Sequence, residues 1–288
     1  PPSMPVMDNI LLDPTPAEFM RAIEANTIES FKAWSKWARL QLQQYPEIAW
    51  TASDIPFFLF NVVLGLVPQT GNSPADPGTI VAAATSRARS RQVPMGWWVG
   101  LTNQTPDLGQ LLEKQGWFHA ATLTGMAVDL PDLVEPASLP SGLTISSVHD
   151  TDSLETWCQI MTSVSEFPDF AASAWLDMYR DMEIIDDPQW SLLLGIVNGK
   201  PVSTSLLFLG AGVAGIHAVT TLPKYRGRGI ATAMTYPPLI YARNQGYRIG
   251  VLFSSEMAVD IYRKIEFQEY GQGHIYMWQP EEASQQPT

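Results

Sequence analysis

A strand that leads through a glycine-rich turn directly into a helix constrains this chain more than any other feature. The predicted strand at 213–221 is followed by the run Arg226-Gly-Arg-Gly-Ile-Ala, and a helix is predicted from there to about residue 245. A strand that passes at once into a helix is typical of sheets covered by helices. The chain is therefore expected to build an α/β fold with a mixed central sheet.

The turn between that strand and helix has the chemistry of an anion site. Its backbone N–H groups can converge with the unpaired donors of the helix N-terminus, and the glycines allow a phosphate to approach closely. Arg226 and Arg228 add positive charge. These features suit a pyrophosphate, although an ordinary strand-to-helix turn would also explain a glycine pair taken alone.

Composition narrows the classes of partner. The formal net charge is -12, so nucleic acid is not expected as a partner. The acidic charge weakly favours cationic partners such as amines; the alternative is that it serves only to keep the protein soluble. The single cysteine, Cys158, excludes a disulfide within the chain and a zinc site of the thiolate type. The four histidines show no i, i+4 pair, so we expect no metal site.

The sequence predicts neither a membrane span nor a targeting segment. No run of about 18 apolar residues occurs, and Asn61 and Gly65 interrupt the most apolar stretch, 55–67. Residues 1–10 lack the basic start and apolar run of a signal peptide. We therefore expect a cytoplasmic protein without a membrane partner.

Hydrophobic periodicity and turn residues predict the secondary structure. The predicted helices cover 16–44, 79–91, 107–115, 151–163, 168–182, the segment from the glycine-rich turn to about 245, and 256–265. The predicted strands cover 48–51, 57–67, 95–101, 124–130, 143–148, 190–197, 202–209, 213–221, 248–253, 267–270 and 274–278. Asn198-Gly199 is a strong hairpin signal, and 68–78 is predicted as a loop.

A segment rich in proline divides the chain. Residues 131–142 contain three prolines and a glycine, which is typical of a linker. The sequence thus predicts a domain at 1–130, a second domain at 143–280 and a tail at 281–288.

Two motifs in the second domain resemble a known family. Arg226-x-x-Gly229-x-Ala231, preceded by Pro223 and Tyr225, resembles the acyl-CoA loop of the GCN5-related N-acetyltransferases (GNAT). The second motif, Ser255-x-x-Ala258-x-x-Ile261-Tyr262-x-Lys264-Ile265-x-Phe267, resembles that family's helix after the fifth strand. The order and spacing of the two motifs make the resemblance specific over about 216–270.

The resemblance implies roles for individual residues. The strand backbone would bind the pantetheine arm of acetyl-CoA, and the N–H groups from Arg228 to Thr232 would bind the pyrophosphate. The implied cofactor-binding residues are Val219, Thr220, Thr221, Arg226, Gly227, Arg228, Gly229, Ile230, Ala231, Thr232 and Ser255. Tyr262 stands where the family often has a general acid for the departing thiolate, and its alternative role is that of an amphipathic core residue.

Three departures from the family pattern affect the acceptor side more than the cofactor side. Ser255 replaces the common asparagine, and Glu266 replaces the usual glycine before Phe267. Pro237-Pro238 falls within the helix after the loop, where proline removes a backbone hydrogen bond and is expected to kink the helix.

The general base is not fixed by the sequence. His217 would share a strand face with Val219 and Thr221 by alternation, and it is either the base or a hydrogen-bonded structural histidine. Carboxylates in the two-helix region are further candidates, each of which could equally be a solvated surface group; they are Glu166, Asp169, Asp177 and Glu183.

The first domain resembles a degenerate copy of the second. Residues 95–100 and the segment Leu108 to Phe118 match the family's strand, helix and Gly-aromatic segment, but no Arg-x-x-Gly-x-Ala occurs between 68 and 78. The expected arrangement is two tandem copies, of which the first packs against the second and walls its acceptor cleft. Trp97 and Trp98 would line that cleft or fill the core.

These observations predict an N-acetyltransferase that uses acetyl-CoA and no metal. The acceptor would be a primary amine of a small molecule or peptide that attacks directly, because Cys158 lies on a predicted helix away from both motifs. A non-catalytic acyl-CoA-binding or protein-interaction module is the alternative function, and a longer acyl donor is a third reading. Whether the protein forms a homodimer is left open.

Overall fold

A computed structural model describes residues 10–45, 48–66 and 76–281. Most of the predicted loop at 68–78 and of the tail at 281–288 lies outside the described residues. The strands are β1 (Leu40–Gln44), β2 (Ile48–Ser53), β3 (Val62–Leu66), β4 (Met95–Val99), β5 (Phe118–Asp129), β6 (Leu143–Ser147), β7 (Trp190–Val197), β8 (Lys200–Gly210), β9 (Val213–Thr221), β10 (Ile249–Ser255) and β11 (Gln268–Trp278). The helices are α1 (Pro16–Ala33), α2 (Pro77–Arg91), α3 (Leu108–Lys114), α4 (Thr151–Val164), α5 (Asp169–Asp181), α6 (Ile230–Asn244) and α7 (Val259–Arg263).

The described chain divides into two compact units whose residues are not contiguous in sequence. One unit, termed the C-unit, holds 10–30 and 124–271, and the other, termed the N-unit, holds 31–45, 48–66, 76–123 and 272–281. Each half of the sequence thus gives one terminal segment to the unit built mainly by the other half. The division of the sequence into domains at 1–130 and 143–280 stays a prediction.

The C-unit is built on a mixed sheet in which β6, β7, β8, β9 and β10 are neighbours in that order. Pairing is antiparallel from β6 to β9, and β9 and β10 are parallel. Asn198 and Gly199 have φ of 49° and 78°, so the predicted hairpin turn is confirmed. Helix α6 packs against β7, β8 and β9, and its Ala233 and Met234 fill a core with Leu193.

The N-unit has its own core and five neighbouring strands. Strands β1, β2, β3, β4 and β11 are neighbours in that order, with β3 and β4 parallel and the other pairs antiparallel. Helices α2 and α3 contribute to a core that surrounds Trp97, which is fully buried. Trp98 is also buried, at 5 % exposure, so both tryptophans fill the interior.

Several helix boundaries follow from local sequence. Thr15 and Glu18 cap α1 reciprocally, since the backbone N–H of Thr15 donates to Glu18 Oε2 at 2.7 Å and the N–H of Glu18 donates to Thr15 Oγ1 at 3.4 Å. Asp150 caps α4 by accepting from the N–H of Ser153 at 2.8 Å. Both predicted helix starts are confirmed. Helix α6 continues through Pro237 and Pro238, and the kink expected there stays a prediction.

Three predictions of secondary structure were wrong in the extent or number of elements. The helix predicted over 16–44 ends at Ala33, and Leu40–Gln44 forms β1, because its alternating Leu-Gln-Leu-Gln pattern pairs with β2. The two closing strands predicted at 267–270 and 274–278 are the single strand β11. The predicted strand at 57–67 begins only at Val62, after a short 3-10 helix at Phe58–Phe60.

In the described part of the chain, no helix combines the length and the apolar character that crossing a lipid bilayer requires.

Candidate functional site

The two parallel strands of the C-unit diverge toward their carboxyl ends. Strand β10 pairs with β9 through Gly250 and Val251, opposite Ala214 and Gly215, and the pairing goes no further along the strands. The β10-facing edge of the predicted pantetheine segment, Val219 to Thr221, is therefore left without a partner from β10. An opening between parallel strands at their carboxyl ends is a common place for a ligand in α/β sheets.

The glycine-rich turn follows that opening. A 3-10 helix at Pro223–Tyr225 leads into Arg226, whose Nε donates to the carbonyl of Thr221 at 3.1 Å and closes the turn. Gly227 and Gly229 have φ of 74° and 75°, a left-handed conformation that favours glycine. The sequence places glycine here because the chain must reverse within a few residues before α6 begins.

The first turn of α6 presents unpaired donors. Gly229 is the residue before the helix, and no side chain caps its N-terminus. The first N–H groups of an α-helix have no partner within the helix, and they carry the positive end of its dipole. The N–H groups of Ile230, Ala231 and Thr232 are thus available to a negatively charged group.

A cavity of about 560 Å³ lies between the diverging strands and this turn. It brings together ten of the thirteen predicted site residues. They are Val219, Thr220, Thr221, Arg226, Gly227, Gly229, Ile230, Ala231, Thr232 and Ser255. Arg228, His217 and Tyr262 do not line it. The predicted cofactor residues other than Arg228 therefore share one site.

The shape and charge of the cavity fit a pyrophosphate joined to an apolar arm. A Cβ added at Gly227 would meet nothing within 4 Å, and one at Gly229 would meet only Pro140 Cγ at 3.7 Å, so the space over the turn is open. Arg226 and Lys264 supply positive charge, while Val219 and Ile261 supply apolar wall. Acetyl-CoA carries groups of both kinds, so the residues present fit it.

The cavity includes residues that sequence reasoning did not assign to it. Val164, at the end of α4, and Met257, which is 90 % exposed, both line it. Met257 lies just after Ser255 in the second motif, and its exposure is unusual for a large apolar side chain. The position of Val164 depends on how α4 packs, and no pattern in the sequence shows it.

Tyr262 lies beside the cavity but belongs to the core. It is 7 % exposed and packs edge-to-face on Phe267, with ring centroids 5.8 Å apart. Burial raises the pKa of Tyr262 to about 12, so the phenol keeps its proton at neutral pH. Its neighbours on the same segment, Ala258 and Ile261, line the cavity. The predicted proton-donor role stays a prediction.

His217 is held by a residue of the first helix. Asn26, which is fully buried on α1, donates through Nδ2 to the carbonyls of Phe208 and Gly210 at 3.2 and 3.0 Å. Its Oδ1 therefore faces His217 Nε2 at 3.0 Å and accepts a hydrogen bond from it. This contact fixes the tautomer with the proton on Nε2 and leaves Nδ1 with a lone pair.

Gly215 makes room for this pair. An ideal Cβ at Gly215 would overlap Oδ1 of Asn26 and would lie 2.7 Å from Nε2 of His217. Burial also lowers the pKa of His217 to about 4, so the ring is neutral at neutral pH. These contacts favour the structural interpretation of His217, since a low pKa makes the imidazole a weak proton acceptor.

The predicted alignment of His217 with Val219 was wrong. Between the pairs Leu206↔His217 and Thr204↔Thr220, β9 has one residue more than β8, and Ala218 there has φ of 48°. The extra residue is a β-bulge, which reverses the alternation of side chains. Val219 accordingly packs with the core cluster that contains Ile216. No sequence pattern revealed the bulge, because alanine rarely adopts positive φ.

The His217 site predicts a pH-dependent stability. With a folded pKa of about 4 and an ordinary pKa near 6.5, the unfolded chain binds a proton between these values that the folded chain does not. The unfolding free energy is expected to be highest above about pH 6.5 and to fall by about 1–3 kcal/mol toward pH 4. In His217→Gln, which cannot titrate, this part of the slope should disappear.

Urea unfolding of wild type and His217→Gln at several pH values checks this expectation. His149→Gln is the matched control, because His149 is exposed, and it should keep the wild-type pH profile. Parallel profiles for wild type and His217→Gln would show that the ring is not buried in its neutral form.

The four candidate carboxylates Glu166, Asp169, Asp177 and Glu183 are all exposed, and none lines the cavity. Cys158 is 3 % exposed, and burial raises the pKa of its thiol to about 12. A thiol with so high a pKa is not a nucleophile at neutral pH. The structure thus supports direct attack by an acceptor amine more than transfer through an acylated Cys158.

Comparison with known proteins identifies the segment around the cavity. A family model described as an acetyltransferase (GNAT) domain matches residues 210–270. An uncharacterized N-acetyltransferase of Methanocaldococcus jannaschii is 33 % identical over 87 residues. That alignment covers 25 % of this chain and 37 % of the relative, so the chain spans little more than a third of its length.

The fold of the larger part of the chain is similar to that of solved acetyltransferase structures. A GCN5-related N-acetyltransferase from Kribbella flavida has a TM-score of 0.64 at 17 % identity, covering 90 % of this chain and 97 % of that one. A tandem GNAT protein from the clavulanic acid biosynthesis pathway has a TM-score of 0.61 at 13 % identity, covering 92 % and 94 %. The predicted mixed α/β fold in two tandem copies is confirmed.

Proposed function

Because residues 210–270 match an acetyltransferase (GNAT) domain and the fold is similar to that of GCN5-related N-acetyltransferases, we propose that the chain transfers an acetyl group from acetyl-CoA to a primary amine. The observation that carries the proposal is the meeting of three features in one cavity. They are the unpaired edge of β9, the turn at Gly227 and Gly229, and the uncapped N-terminus of α6. Together they offer an extended arm and a pyrophosphate the contacts that each requires.

The proposed donor site assigns a task to each part of the cavity. The backbone of Val219–Thr221 hydrogen-bonds the pantetheine arm along the edge that β10 leaves free. The N–H groups of Ile230, Ala231 and Thr232 bind the pyrophosphate, and Arg226 adds charge from the turn. Ser255 faces the arm from the end of β10. Binding of this kind holds the acetyl group in a fixed position for the incoming amine.

The proposed transfer is direct. Acetyl-CoA supplies an activated thioester, and the amine nitrogen attacks its carbonyl carbon while the bond to sulfur breaks. Tyr262, which lies beside the cavity and whose raised pKa keeps the phenol protonated, donates that proton to the departing sulfur. The amine loses its proton to solvent, because the contacts of His217 and its lowered pKa favour a structural role for that residue. The acidic chain favours a cationic amine as partner.

A turnover screen tests the proposal. The purified protein is mixed with acetyl-CoA and a panel of polyamines, amino acids, aminoglycosides and peptides, and free CoA thiol is measured over time. Release that depends on one class of amine, with the acetylated product seen by mass spectrometry, supports the proposal. If the protein binds acetyl-CoA but acetylates no amine of the panel, it is a binding module instead.

A further inference from the structure

A second depression of about 300 Å³ adjoins the turn of the cavity. We call it the basic depression. It is lined by Val197, Asn198, Lys200, Lys224, Tyr225 and Arg228. The hairpin between β7 and β8 forms one side, and the 3-10 turn after β9 forms the other. The sequence places these two segments more than twenty residues apart, so only the fold brings their cations together.

The charges of the basic depression are not neutralised by neighbours. Three cations line it and no carboxylate does, in a chain that has 17 basic and 29 acidic residues. Within the described ranges, neither Lys200 nor Lys224 forms an ion pair. By contrast, Arg243 pairs with Glu135 at 3.1 Å. Unpaired cations gathered in an acidic chain indicate a site for an anion.

Arg228 is held in place without losing its charge. Its guanidinium lies 5.2 Å from the ring centre of Tyr225, and its Nη2 donates to the carbonyl of Lys224 at 3.3 Å. Neither contact is with an anion. The side chain is therefore oriented into the basic depression and still offers donors of the planar guanidinium to a ligand.

The basic depression lies beside the proposed pyrophosphate site. Tyr225 lines both spaces. Gly227 and Gly229 line the larger cavity, whereas Arg228, between them, lines the basic depression. A ligand that places its pyrophosphate on the turn thus has Arg228 one residue away, and the two lysines line the same depression as Arg228.

We propose that the basic depression binds the 3′-phosphate on the ribose of CoA. This inference rests on the proposed function of the adjoining cavity. A phosphate monoester is compact and carries close to two negative charges at neutral pH, and it can accept from lysine ammonium groups and from an arginine fork at once. Lys200, Lys224 and Arg228 supply those donors and distinguish CoA from its dephosphorylated form.

Calorimetric titration of CoA and of 3′-dephospho-CoA tests the proposal. Wild type is expected to bind CoA about ten-fold more tightly, because several partly exposed charge pairs each contribute a few-fold. Lys200→Gln/Lys224→Gln should reduce this preference to about two-fold or less by removing two of the phosphate's partners, and leave the affinity for 3′-dephospho-CoA unchanged. The preference should also shrink as salt is raised.

Lys114→Gln is the matched control. It lies on α3 of the N-unit, outside both spaces, and changes net charge in the same direction as each replaced lysine. It should keep the full preference for CoA. A preference lost equally in this variant would indicate a general effect of net charge and would overturn the proposal.

The outcomes separate this proposal from the function on which it rests. Equal binding of the two ligands by wild type overturns the phosphate site and leaves the acetyl-CoA site standing. A preference that survives in both the double variant and Arg228→Gln also overturns it. Binding of inorganic phosphate that the double variant loses, without any preference for CoA, would assign the depression to a free phosphate. If wild type binds neither ligand, the donor site itself is refuted.

Discussion

Acetyl-CoA binding is expected to be lost in Gly229→Trp while the protein stays folded. A Cβ at Gly229 would meet only Pro140 Cγ at 3.7 Å, so the indole has room to enter the space over the turn. There it would exclude the pyrophosphate from the N–H groups of α6. Loss of two charge-assisted hydrogen bonds of about 1.5–3 kcal/mol each corresponds to an affinity at least ~100-fold weaker. Calorimetric titration measures the affinity, and circular dichroism checks the fold.

The matched control for this experiment is Gly116→Trp. Gly116 is exposed in the N-unit, has φ of 89° and meets nothing within 4 Å, so the replacement imposes a similar backbone strain away from the cavity. It should lower the thermal stability to a similar extent and bind acetyl-CoA as wild type does. Wild-type affinity in folded Gly229→Trp would place the donor elsewhere. A folded wild type that binds no acetyl-CoA would favour an interaction module without CoA.

Tyr262→Phe is expected to lower kcat by about 10²-fold or more, because a positioned general acid contributes 10²–10⁴-fold. Binding of acetyl-CoA should change little, since Tyr262 does not line the cavity. Burial raises the pKa of the phenol to about 12, so activity that depends on it should persist into mildly alkaline solution. Steady-state kinetics with an accepted amine and titration of acetyl-CoA give the two quantities separately.

Tyr247→Phe provides the comparison. Tyr247 packs against the same core cluster as Tyr262, and burial also raises its pKa, but it lies outside the cavity and both motifs. Removal of its hydroxyl should leave kcat within about two-fold of wild type, as expected for a residue without a part in proton transfer. If Tyr262→Phe behaves in the same way, Tyr262 is a core residue and the thiolate takes its proton from water. The amphipathic-core interpretation would then be correct.

The N-unit has a role in the fold that the motifs alone did not indicate. It takes its last strand from the end of the sequence, where His274–Trp278 pairs antiparallel with Met95–Val99. The C-unit in turn takes α1, whose Asn26 holds His217. Each unit therefore needs a segment from the opposite end of the chain.

The sequence by itself determined the turn and the helix start that line the cavity. The turn at Gly227 and Gly229 and the uncapped start of α6 depend on backbone conformations that a few adjacent residues impose. The pattern of neighbouring residues was therefore sufficient to predict them. The hairpin at Asn198-Gly199 and the helix caps at Thr15 and Asp150 are local in the same sense. Strong periodicity likewise predicted most helices and strands.

The tertiary structure alone decided what depends on contacts between distant residues. The bulge at Ala218 turned Val219 away from His217, and it arises from the pairing of β8 with β9. The contact between Asn26 and His217 joins residues 191 positions apart, and the basic depression joins a hairpin to a turn. Each of these depends on packing and strand register. Patterns among neighbouring residues predict neither packing nor strand register, because contacts between distant residues form only when the whole core packs together.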